Sequence, residues 1–151
     1  MSTYHTSKAH NWKQKGNVYL WRYIEGVKNY PGWNFAVDED ARLSLTNLLL
    51  AFVKDDVASH RAVALTKPTD TVLIVPNNRG GIAKFKSPAK ARVLYQPGVS
   101  DAGYLTESNG SVEWEIGRDS ATSILSVLGE PDRYFDQRII NDPAVWWWGI
   151  V

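Results

Sequence analysis

The chain contains no cysteine and a single methionine. Without a thiol there is no disulfide framework, no thiolate metal site, no cysteine nucleophile and no thiol redox chemistry. Histidine is scarce as well, with three. His5 and His10 fall in a polar opening segment, and His60 stands in an expected loop near Asp55 and Asp56, with no orienting partner for a general base. No apolar run approaches the ~20 residues of a membrane-spanning helix, and Met1 to Lys15 lacks the apolar centre of a signal peptide. The sequence carries no Gly-x-Ser-x-Gly, no Gly-x-Gly-x-x-Gly, no phosphate loop ending in Gly-Lys and no His-Glu-x-x-His. These absences set the expectation of a cytoplasmic protein, off the membrane, with no cofactor and no metal, and they turn the reading away from catalysis.

What is there suits one domain. The 151 residues are 44% hydrophobic and 12% aromatic, with seven Trp, enough for one core and too few for two. The near-neutral charge of +1 hides a block arrangement. Residues 1–37 carry +4, 38–60 carry −3, 61–92 carry +6 and 93–151 carry −6. Such blocks either neutralise one another in the fold or leave patches that steer partners of opposite sign.

Along the chain, residues 1–16 read as a flexible polar arm and residues 17–151 as a single domain. Val18 to Ile24 is rich in strand formers, yet Leu20, Ile24 and Val27 lie at helical spacing, and helix is favoured over strand. Pro31-Gly32 marks a turn, and Trp33, Phe35 and Val37 alternate as in a short strand. Asp38-Glu39-Asp40 caps a helix whose apolar face is Ala41, Leu45, Leu48, Leu49 and Phe52, ending near Lys54. Strands are expected at Ala62–Thr66, Thr71–Val75, Ile82–Lys86 and Ala91–Gln96, with Asn77–Gly81 a loop. Asn109-Gly110 is a type I′ hairpin turn that opposes Leu105 to Trp114 and Tyr104 to Glu115. A helix capped by Asp119 or Ser120 runs to Leu128, where Gly129 and Pro131 stop it. One or two strands over 134–140 and 145–151 close the fold. The sum is an α+β domain, a mainly antiparallel sheet of about five to seven strands with two or three helices packed on one face.

Three groups of residues carry chemistry. Arg79, Lys84, Lys86, Lys90 and Arg92 occupy a loop and two expected neighbouring strands, either a solvated sheet face or a cationic surface suited to phosphates or to an acidic protein. Trp146 and Trp148 share one face of the closing strand, either as core or as a protein-binding hot spot. Glu113 and Glu115, two apart on a strand, have the spacing of a hydrolytic carboxylate pair, but an outward polar face opposite Trp114 explains them fully. The leading expectation is a small non-enzymatic adaptor, inhibitor or immunity-type protein whose partner is another protein. Nucleic acid bound by residues 79–92 is the alternative and a small hydrolase the third. Homodimerisation is compatible with all three.

Overall fold

The computed structural model describes residues 8–24, 32–74, 84–98, 104–130, 137–141 and 144–151. The domain is α+β, as its patterning implied, and its described strands divide between two sheets. The first has the order β4-β1-β2-β9-β8, built from Phe85–Lys86, Val18–Tyr23, Trp33–Val37, Ala144–Ile150 and Gln137–Asn141. The second has the order β3-β5-β7-β6, from Ser59–Ala64, Lys90–Tyr95, Ser111–Ile116 and Tyr104–Ser108. Pairing is mostly antiparallel, with β2–β9 and β5–β7 parallel. The hand-over from one sheet to the other is made by residues 87–89. Their Pro88 cannot donate to a ladder, and Ala89 bonds outward to Gly110 and Leu65.

The sheets cross rather than align. Val18, at the start of β1, accepts from Thr66 just beyond β3, while Arg22, near its end, is bonded to Glu107 on β6 at 2.9 Å. β1 therefore runs beneath the second sheet from one edge to the other, the orthogonal mode of sheet packing. Between the sheets lies the main core. Leu20, Phe35 and Trp147 meet Val93, Trp114 and Ile116 there. Phe35 sits edge-on to Trp114, with ring centroids 5.6 Å apart, and tilted against Trp147 at 5.2 Å.

Two helices close this core. Helix α1 (Glu39–Asp55) buries the expected Ala41, Leu45, Leu48, Leu49 and Phe52, and its N-cap Asp38 accepts from the Ala41 N–H. Helix α3 (Arg118–Leu128) buries Ala121, Ile124 and Leu128. Its N-cap position is Gly117, with no side-chain cap, so neither Asp119 nor Ser120 has the expected capping place.

Four further expectations are corrected. Val18–Tyr23 is strand, not helix: Val18 and Leu20 face the main core while Tyr19, Trp21 and Tyr23 face a second cluster, so both sides of β1 are covered. Ile24 is exposed, and its helical spacing marks no buried face. The apolar run at Thr71 is not a strand. Thr69 caps a short helix α2 (Asp70–Leu73), which lays Val72 and Leu73 over the outer side of the first sheet. The third strand begins earlier than expected, placing His60 in β3 opposite Leu94 rather than in a loop. Finally, Lys8–Gly16 is not a free arm. Lys8–Asn11 forms a 3₁₀ turn, Ala9 and Trp12 are buried, and the Trp12 indole donates to the Ser44 carbonyl at 2.7 Å. Gly16 presses so closely on Asp38 and Ala41 that no side chain fits there.

Candidate functional site

Among the described residues, the second sheet has one uncovered face. Register puts its outward side chains in three rows across β3, β5, β7 and β6. They are Ala64, Lys90, Ser111 and Ser108; then Ala62, Arg92, Glu113 and Thr106; then His60, Leu94, Glu115 and Tyr104. Ser111, Leu94 and Glu115 are half-buried and the other nine are exposed. The alternate residues Val63, Ala91, Val93, Val112, Trp114 and Ile116 point into the core. This period-2 split is why the strands read clearly as half-buried.

The face is polar and of mixed sign. Arg92 pairs with Glu113 on the neighbouring strand at 3.3 Å, an exposed contact worth at most about 1 kcal/mol. A shallow hollow of about 350 Å³ lies between Lys90, Arg92, Thr106, Ser108 and Ser111. At the opposite end, apolar Leu94 separates His60 from Glu115, and Tyr104, 45% exposed, lies beyond Glu115 on the edge strand.

The expected cationic group does not assemble on one sheet. Lys84 and Lys86 belong with β4, which pairs with β1 in the first sheet, whereas Lys90 and Arg92 lie on β5 in the second. The two segments are consecutive in sequence but are not neighbouring strands. Arg79 lies outside the described residues. On the open face, two cations stand beside two carboxylates. Glu113 and Glu115 do point outward together, and Arg92 already occupies Glu113.

The tryptophan run is interior. Trp147 is fully buried on the main-core side, and Trp148 is buried at 6% exposure on the other. Trp146 is half-buried against the same second cluster. Of the two roles open to the run, Trp148 has the core one: it packs with Val72 and Leu73 of α2 and with the β1 side chains Tyr19, Trp21 and Tyr23 on the same face of the sheet.

Other features were not legible in advance. Asn34 is completely buried, accepts from the Trp148 indole at 2.8 Å and donates to the Trp21 carbonyl at 3.4 Å. Asp56 closes α1 in the left-handed region at φ 53°, accepts from the Tyr95 hydroxyl at 2.8 Å and is held by Arg118. The Tyr95 hydrogen bond and the Arg118 guanidinium hold the Asp56 carboxyl below its ordinary range. Burial, with Asp56 as acceptor, raises the Tyr95 phenol. This trio ties together the ends of α1, β5 and α3. A furrow between α1 and the Trp12–Lys15 segment leaves Leu43 and Leu50 exposed. No helix among the described residues is long and apolar enough to cross a membrane.

No protein-family model, no curated protein and no solved structure matches this chain.

Proposed function

We propose that this protein is a non-enzymatic binding module that docks another protein on the open face of its second sheet. One observation carries the reading: the first sheet is covered on both sides at β1, β2 and β9, whereas the second presents twelve outward positions with no described helix packed on them. A broad surface of alternating charge with apolar Leu94 and Tyr104 at one end suits a protein partner better than a small molecule, which needs concavity. It suits a phosphate backbone poorly, because the acids offset the cations.

The test is affinity capture from the native host, with and without nuclease, using three forms of the chain. These are the natural protein, a face variant carrying Arg92→Glu and Leu94→Ser, and a control carrying Leu43→Ser on α1. The reading expects a protein retained by the natural chain and by the control, insensitive to nuclease, and lost with the face variant. Capture that survives the face variant, or that nuclease abolishes, overturns it.

A further inference from the structure

The two edges of the second sheet are treated differently. At β3 the Gln14 side chain acts as a substitute strand: its amide donates to the Ala64 carbonyl at 2.9 Å and accepts from the Ala64 N–H at 2.7 Å. Arg61 adds a bond to the Trp12 carbonyl at 2.8 Å. β6 has no such cover among the described residues. The usual guards of an edge strand are a proline, a bulge or a free charge. β6 has no proline or bulge, and its one charge, Glu107, is spent on Arg22.

Hairpin geometry fixes which groups are open. Ser108 and Ser111 flank a two-residue turn and so exchange backbone hydrogen bonds, as do Thr106 with Glu113 and Tyr104 with Glu115. Leu105 and Glu107 therefore point their N–H and C=O groups away from β7. We infer that β6 pairs antiparallel with β6 of a second copy of this chain, about a two-fold axis at Thr106.

That register is selected by the sequence. It sets Leu105 opposite Glu107 of the other copy, twice, so all four open donors and all four open acceptors fall in register as four hydrogen bonds. Thr106 meets itself in the closer, non-hydrogen-bonded kind of pair, and Thr–Thr contacts across strands are favourable. Tyr104 lies opposite Ser108. Centring the axis on Glu107 instead would oppose two carboxylates. The product is a continuous eight-stranded sheet whose open faces join, whatever the face binds.

The absence of cysteine makes the register directly readable. Thr106→Cys should cross-link two chains under mild oxidation, since the paired Cα atoms of such a non-hydrogen-bonded pair would lie about 4.5 Å apart, within the span a disulfide bridges. Ser108→Cys should not, because its symmetry mate is four positions out of register. Sedimentation equilibrium of the natural chain should show reversible dimer formation as concentration rises. Glu107→Pro removes an outward N–H without touching the β7 ladder and should return the protein to monomer. Glu107→Ala, which loses the Arg22 contact but keeps the N–H, should remain dimeric. A natural chain that stays monomeric up to millimolar concentration overturns the inference, as does a folded Glu107→Pro variant that still dimerises. Should Glu107→Pro fail to fold, the cysteine pair decides: cross-linking at 108 rather than 106, or at neither, also overturns it.

Discussion

Asp56 shows how much one side chain can organise. It ends α1 in a conformation that costs most residues strain but that Asp and Asn tolerate. From there its carboxylate holds Tyr95 and Arg118. Because its native pKa lies below the ordinary 3.8, ionisation favours the folded state: the contribution is complete above that ordinary value and disappears as pH falls through the native pKa. Asp56→Asn keeps the backbone preference and an acceptor for Tyr95 while removing the charge. Its unfolding midpoint should fall below that of the natural protein at neutral pH, and the gap should close in thermal scans well below pH 3.8. Asn34 is a neutral counterpart. Asn34→Ala leaves the buried Trp148 N–H without its acceptor, so denaturant titration should show a loss of about 1–3 kcal/mol. Neither residue announced itself in the sequence. A polar side chain in a strand reads as outward-facing unless one knows that both faces are covered, and Asp56 acquires its role only when β5 and α3 arrive beside it.

Elements whose signal is local were legible. α1 begins at the Asp38 cap and buries the face that its spacing implied. Leu48→Ala, at a fully buried position, should cost about 2–5 kcal/mol in the same titration. The hairpin was legible to the residue, with Leu105 opposite Trp114 and Tyr104 opposite Glu115. Asn109 and Gly110 take φ of 50° and 80°, as a type I′ turn requires. Nothing lies within 4 Å of a Cβ added at Gly110. Gly110→Val should therefore act through backbone strain alone, lowering stability by about 1–2 kcal/mol, and an unchanged thermal midpoint would contradict that. Elements that failed were those where two local signals compete. Aromatic and β-branched residues at Val18–Tyr23 outweighed an accidental helical spacing, and the Thr69 cap outweighed the strand propensity of Thr71–Val72.

At the scale of the molecule, the α+β class followed from the mixture of periods, but the division into two crossed sheets did not. It depends on pairings such as β2 with β9 and β5 with β7, which join segments that no short-range pattern links. The same division scatters the 61–92 charge block. With Lys90 and Arg92 as the cations of the open face, any duplex DNA binding there should show a log–log salt slope near −2, against −4 to −5 for a site using all five cations. Mobility shifts across a salt series distinguish the two. The interior place of β9, between β2 and β8, also reaches beyond the finished structure. Asn34 and Trp148, partners in the second cluster, are 114 positions apart. At cellular elongation rates, β2 leaves the ribosome on the order of ten seconds before the strand that will lie beside it. Throughout that interval Trp33, Phe35 and Val37 belong to a nascent strand with a bare edge, which makes this the window in which chaperones should engage the growing chain.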